Sequence, residues 1–260
     1  MEELQHPTLV MTIILLMIVG MILGNIARAR GGAKLFIRRI TGIDAIEEAV
    51  GRATEMGRPI SFSTGLSRIE VRTLQAIAVM GHVAQLAARL GTRLLGPIFN
   101  AQVLTIAEEV VREAYAKEGR ADAYNPNDVR FISDSQFAYA AGVVGMMIRE
   151  NVAANLMFGR FQAEALIISE TGQSLKALQV AGTDEPTQIP FFITACDYVI
   201  IGEEFYATSA YLTREPTALG SLVGQDWSKL ILFVLIFFGT IWVSFAGTKG
   251  FWLIAQLTGG

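Results

Sequence analysis

The sequence predicts an α/β protein: a doubly wound, mostly parallel sheet of about five strands, flanked by an N-terminal and a C-terminal transmembrane helix. Three observations carry this prediction. Short β-type runs alternate with helical patterns of about ten residues or more through the middle of the chain. Each end carries an uncharged apolar run long enough to cross a bilayer. Hydrophobic residues make up 52% of the chain and charged residues only 17%, below the roughly 25% charged residues of an average soluble protein.

The first element lies in residues 1–27, an N-terminal transmembrane anchor. From Thr8 to Gly24 no residue is charged, and continuation to Ala27 gives about 20 residues, enough at ~1.5 Å per residue to span ~30 Å of hydrocarbon. The start "MEELQHP" lacks the basic flank of a signal peptide, so the anchor is expected to stay uncleaved. Directly after it, "NIARARGGAKLFIRRI" carries Arg28, Arg30, Lys34, Arg38 and Arg39 with no acid, in a chain of net charge -3. Such a cluster stays on the cytoplasmic side, which places the N-terminus outside, and it meets anionic lipid headgroups there. Residues 28–58 read as this basic juxtamembrane linker plus a short amphipathic helix: Thr41 caps, Asp44 follows three on, and Ile43, Ile46 and Val50 recur at helical spacing.

Residues 59–226 read as a cytoplasmic α/β domain. "RPISFSTG" (58–65) is a strand whose mixed composition suits a place near a sheet edge, and residues 68–91 are a helix ended by Gly91. "TRLLGPI" is a fully apolar strand, and "AQVLTIAEEVVREAYAKEG" is a helix closing on Gly119 with Lys117 in its last turn. After the loop "RADAYNPND" come a strand "VRFIS", a helical "DSQFAYAAGVVGMMIRENVA", a strand "AEALIIS" and a strand "KALQVAG". One long helix is expected from about Ile189 to Thr213, with Asp197, Glu204 and Thr208 on one face. Residues 227–260 hold the second transmembrane helix, "WSKLILFVLIFFGTIWVSFAG" (227–247), anchored by Trp227 and Trp242, and a short apolar tail that this topology returns outside.

Chemistry in such a domain gathers beyond the carboxyl ends of the strands. Those ends carry Ser63, Thr64 and Gly65; Ser133 and Asp134; Ser169 and Glu170; Gly182 and Thr183. A polar rim of this kind suits a small anionic ligand, although the same residues also cap helices and permit turns. No phosphate loop, dinucleotide fingerprint or nucleophile elbow is present, so no catalytic residue and no cofactor is assigned. The single cysteine, Cys196, excludes an intramolecular disulfide and sits beside Asp197, which disfavours a thiolate. Two histidines, His6 and His82, stand far apart, and no metal site is expected. A pI near 5.5 and the lack of a basic stripe beyond residues 25–40 argue against nucleic acid as the main partner.

The segment "IPFFITACDYVIIGEEFYATSAYLTREPTALGSLVGQDW", with "ISFSTG" and "ALIISETG", resembles an uncharacterised bacterial membrane-protein family carrying a domain of unknown function. The resemblance implies a bacterial inner-membrane setting and transfers no catalytic residue. Two functions are then open. One is a non-enzymatic, homo-oligomeric scaffold with a Rossmann-like cytoplasmic domain, whose spans associate through small residues such as Gly20 and Gly24. The other is a membrane-tethered domain that binds or transforms a nucleotide or other anionic metabolite at the strand-end rim. Membrane lipids and the chain itself are the expected partners; a protein partner is not identified.

Overall fold

The computed structural model describes residues 9–33, 41–66, 68–213 and 215–246. They fall into two compact units, one of residues 39–213 and one formed by the two ends of the chain.

The central unit is a six-stranded, all-parallel sheet. Its strands are β1 (Ile60–Gly65), β2 (Leu94–Ile98), β3 (Val129–Phe131), β4 (Ala154–Arg160), β5 (Leu178–Thr183) and β6 (Tyr198–Ile201), in the order β3-β2-β1-β4-β5-β6. The terminal helix α1 (Leu9–Arg30) belongs to the other unit. The helices of the sheet unit are α2 (Thr41–Glu55), α3 (Val71–Leu90), α4 (Ala101–Lys117), α5 (Gln136–Glu150), α6 (Glu164–Ser174), α7 (Ile189–Ala195) and α8 (Glu203–Thr213). This is the doubly wound, Rossmann-like α/β arrangement that the alternating pattern predicts.

Alternation of side chains along each strand divides the core into two layers. On one face Ile60, Phe62, Leu156, Phe158 and Val180 pack under α2, α3, α4 and α8. Phe62 and Phe158 stack with centroids 5.6 Å apart, and Phe205 of α8 continues the stack. Burial of each such ring stabilises the fold by about 1.5–3 kcal/mol. The other face carries Leu95, Met157 and Ala181 against Tyr139, Met146, Phe161, Ile168 and Phe192. That face also buries Asn155 and Gln179: Asn155 Nδ2 donates to Gln179 Oε1 at 2.9 Å, and Gln179 Nε2 donates to the carbonyls of Ser169 (3.0 Å) and Ala195 (2.9 Å). Gly172 leaves the room for this amide, since a Cβ there would lie 2.2 Å from Gln179 Oε1.

Several elements differ from the sequence expectation. "AEALIIS" is not a strand: Glu164–Ser174 forms α6, and its apolar residues alternate between the core (Ala165, Ile168) and the surface (Leu166, Ile167) with helical period. The strand in that region is β4, "ANLMFGR", which pairs with both β1 and β5. The expected helix over 189–213 is α7, β6 and α8. The break falls where Cys196 adopts an extended backbone and Asp197 Oδ2 accepts the amide of Gln179 at 2.7 Å; Gly202, at φ +60, turns the chain into α8. Asp197 therefore does not share a helix face with Glu204 and Thr208. The mixed strand "ISFSTG" is central rather than near an edge, lying between β2 and β4, and its Ser63 is accommodated by the bond to the buried Tyr139 hydroxyl. Helix α2 packs on β4, β5 and β6 as part of the core.

The terminal unit pairs α1 with α9 (Pro216–Ala246). Both helices are long and apolar enough to cross a membrane, over Thr12–Arg30 and Pro216–Ile241. Helix α9 starts well before Trp227 because Pro216 supplies the fixed φ favoured at a first helical position. The two helices run antiparallel: a Cβ on Gly220 would lie 2.6 Å from Cα of Ile26, and one on Gly224 2.7 Å from Cα of Ile22. Glycine at both places lets the backbones touch. The expected small-residue pair on α1 plays no part in this contact, since nothing lies within 4 Å of where a Cβ on Gly20 or Gly24 would be. The apolar tail after Gly247 and the residue Trp242's side chain lie outside the described parts.

Candidate functional site

The strand order reverses between β1 and β4, the place where α/β sheets of this type open a ligand crevice. Here the crevice is closed by backbone. Gly65 pairs with Arg160 after a register shift, and Leu66 N donates to Arg160 O at 2.8 Å. Gly65 holds φ +70, and a Cβ on it would lie 2.0 Å from that carbonyl. Only glycine permits the approach.

The candidate rim residues are occupied in the same way. Ser63 is buried, and its Oγ stands 2.7 Å from the Tyr139 hydroxyl, which itself donates to Pro97 O at 3.1 Å. With that hydroxyl hydrogen used, Ser63 is the donor to Tyr139. Burial pushes the Tyr139 phenol above its ordinary range. Thr64 is buried beside it. Ser133 accepts the Ser135 amide at 3.1 Å, closing a turn before α5, while Asp134 is exposed. Thr183 accepts the Glu185 amide at 3.1 Å, and Gly182 makes room for Phe158, 2.5 Å from where its Cβ would be. Ser169 and Glu170 are not at a strand end: they lie within α6, where Ser169 Oγ donates to Leu166 O at 3.0 Å and Glu170 is exposed. Thus Ser63, Thr64, Gly65, Ser133, Asp134, Gly182 and Thr183 share one end of the sheet, and none of them lines the cavity beside Cys196 or the one beside His82.

Three features of this end escaped the sequence. Glu164, fully buried at the start of α6, accepts Gln162 N at 2.8 Å and Gln136 Nε2 at 2.7 Å, which ties the β4 end to α5. Arg72 meets Asp184 at 3.2 Å and Glu185 at 3.6 Å, and Asp184 also accepts the Tyr206 hydroxyl at 2.5 Å. Burial, and then the bond to Asp184, pushes Tyr206 up to about 12. Finally, the first turns of the helices that leave this end present large apolar side chains to solvent. Val71 of α3 is 66% exposed, Phe137 of α5 63% and Phe191 of α7 48%, with Leu166 and Ile167 of α6 beside them in the chain order. No single one of these is unusual; their gathering at one end is.

A cavity of about 330 Å³ opens at the opposite, amino-terminal edge of β5 and β6, lined by Arg52, Gln173, Lys176, Thr194, Cys196 and Asp197. The Cys196 thiol in its wall is pushed up to about 12 by burial and then by the charge of Asp197, so it is a poor nucleophile. A second cavity of about 270 Å³ lies between α3, α4 and the end of α8. Among the described residues no group of three or more His, Cys, Asp or Glu is placed to hold a metal ion.

Of the residues expected at lipid headgroups, Arg28 and Arg30 occupy the last turn of α1, where they also complement the helix dipole. Arg30 donates to Thr217 Oγ1 at 3.2 Å. Lys34, Arg38 and Arg39 lie outside the described residues. The family model described as a domain of unknown function, DUF6754, matches residues 2–253. No curated protein and no solved structure matches the chain.

Proposed function

We propose that this chain, which belongs to the family of the domain of unknown function DUF6754, is a homo-oligomeric, membrane-anchored scaffold. Helices α1 and α9 anchor it in a bacterial inner membrane, and the Rossmann-like domain makes contacts between copies in the cytoplasm. Both chain ends then lie outside, with Arg28 and Arg30 at the inner headgroups.

One observation carries this reading: at the carboxyl end of the sheet the hydroxyls are bonded inward and apolar side chains point outward. A ligand rim needs the reverse arrangement, with polar groups aimed into a crevice. An association surface needs what is present, and tethering confines copies so that a modest interface suffices. The test is Val71→Glu with Phe137→Glu, both exposed and remote from the core. The account expects a smaller particle in nanodiscs with an unchanged circular dichroism spectrum. An unchanged particle mass would overturn it.

A second reading rests on the amino-edge cavity, where Arg52 and Lys176 flank a polar hollow. It makes the chain a membrane-tethered binding domain for a small anionic metabolite. Titration with nucleotides and phosphorylated sugars, compared with the Arg52→Ala/Lys176→Ala variant, separates it from the scaffold; no heat of binding from any of them counts against it.

A further inference from the structure

The cavity at the amino-terminal edge of β5 and β6 stands where three helices end. Arg52 lies in the last turn of α2, while Lys176 and Asp197 are each the second residue past α6 and α7. At about 330 Å³ the hollow has the size of a site for a small metabolite. Part of its wall is already filled. Ala195 O accepts Gln173 Nε2 at 3.1 Å and Gln179 Nε2 at 2.9 Å, the two bonds a carbonyl takes. Asp197 Oδ2 accepts the Gln179 amide at 2.7 Å. The charged residues of the wall, Arg52, Lys176 and Asp197, are all exposed. Among the described residues, the side chains of Arg52 and Lys176 have no hydrogen bond or ion pair of their own.

Lys176 stands in an unusual backbone conformation, at φ 56. It fills the left-handed position that ends α6: its amide donates to Gln173 O at 3.0 Å, and the Ala177 amide to Gly172 O at 2.9 Å. Glycine is the usual residue there, because a Cβ crowds the backbone. The other non-glycine residue at positive φ among the described residues is Asn151, whose short polar side chain tolerates it. The dipole of α6 does not explain the lysine, since a base within the last helical turn would complement it without the unfavourable φ. What position 176 adds is a place in the cavity wall. A costly conformation kept at a pocket points to a side chain in use.

We propose that this cavity binds a small acidic amino acid, with its two carboxylates on Arg52 and Lys176 and its ammonium on Asp197. The inference gives the second reading above, of this cavity as a small-molecule site, its ligand class, and it does not depend on whether copies assemble. Charge complementarity selects the class. Two bases and one acid leave the wall with one net positive charge, and an acidic amino acid carries one net negative charge with the matching two-to-one distribution. A phosphate would satisfy the bases and face Asp197 with a like charge, which disfavours it. The Cys196 thiol in the same wall is neutral and adds no charge to this balance.

The test is calorimetric titration of the full chain in nanodiscs with L-glutamate and L-aspartate, with their side-chain amides glutamine and asparagine, with glutarate and succinate, and with inorganic phosphate. One acidic amino acid is expected to bind. Its amide, which lacks one carboxylate, and its diacid, which lacks the ammonium, are each expected to bind about 10- to 100-fold more weakly, the worth of one charge-assisted bond. Lys176→Gly is expected to weaken binding by the same factor while the Tm without ligand is kept or raised, because glycine accepts the left-handed φ. Asp197→Asn keeps an oxygen for the Gln179 amide and is expected to erase the preference for the amino acid over its diacid. Wild-type binding of phosphate alone, or of the diacid as tightly as the amino acid, overturns the ligand class and leaves the cavity as an anion site. Binding of none of the probes overturns both. Either a lowered Tm or an unchanged affinity in Lys176→Gly overturns the role given to the lysine.

Discussion

Replacing Tyr139 with Phe removes one oxygen atom from the carboxyl end of the sheet and tests whether Ser63 is a structural or a ligand-facing residue. The phenol is fully buried and makes two bonds, to Ser63 Oγ at 2.7 Å and to Pro97 O at 3.1 Å. Each is worth about 1 kcal/mol net, and each partner left buried without a bond adds to that, so the loss is about 2 kcal/mol or somewhat more. For a unit of 175 residues, 39–213, this lowers Tm by about 4–8 °C. The assay is thermal unfolding of the full chain in nanodiscs followed by circular dichroism, with Ser63→Ala and the double variant completing a cycle. The two single losses are expected to be less than additive in the double variant, because both delete the same bond. A Tm unchanged by Tyr139→Phe would refute the reasoning and return Ser63 to the list of groups free to meet a ligand.

Other expectations follow from equally local contacts. Cys196, pushed up to about 12, stays a thiol at pH 8, so a maleimide labels the folded chain far more slowly than the denatured one. Because its folded pKa exceeds the unfolded value of about 8.5, the stability it contributes is full below that value and falls as pH rises toward its folded pKa; Cys196→Ala should flatten the alkaline fall in Tm. Arg58 donates to Asn151 O (2.6 Å), Asn151 Oδ1 (2.7 Å), Val152 O (2.8 Å) and Leu175 O (3.2 Å), pinning the entry of β1 to the ends of α5 and α6. Arg58→Ala should cost about 2 kcal/mol given its partial exposure, and Arg58→Lys nearly as much because an ammonium cannot reproduce the fork. Gly220→Leu should drive α1 from α9, and a short bis-maleimide joining cysteines at positions 30 and 217 in a Cys196→Ser chain should then cease to cross-link; persistent cross-linking contradicts the backbone contact.

What the sequence disclosed, and what it withheld, follows the range of the interactions. The fold class came from periodicity, which is local: Gly91 ends α3 in a left-handed conformation at φ 77, and "LLGPI" is buried at every position of β2. The errors fell on short apolar runs, where period alone does not separate strand from helix. "ALIIS" is half exposed as a helix, and "ANLMFGR" is a central strand despite Asn155, whose amide nitrogen donates to Gln179 on the next strand. The close approach of the two apolar helices through Gly220 and Gly224 was likewise not announced by any spacing in the sequence. Ser63–Gly65, Ser133, Asp134, Gly182 and Thr183 lie at or just past the ends of β1, β3 and β5, whereas Ser169 and Glu170 lie within α6. Their partners, Tyr139, Pro97 and the Arg160 carbonyl, are far away in the chain, and no spacing rule announces them.

The scaffold reading is tested most directly by the mass of the full chain reconstituted in lipid nanodiscs, read by mass photometry across a dilution series. The account predicts a closed assembly at a fixed multiple of the 28.3 kDa protomer, with its mass unchanged on dilution until it dissociates in one step. A single protomer at every concentration would contradict it and leave the amino-edge cavity as the feature to pursue.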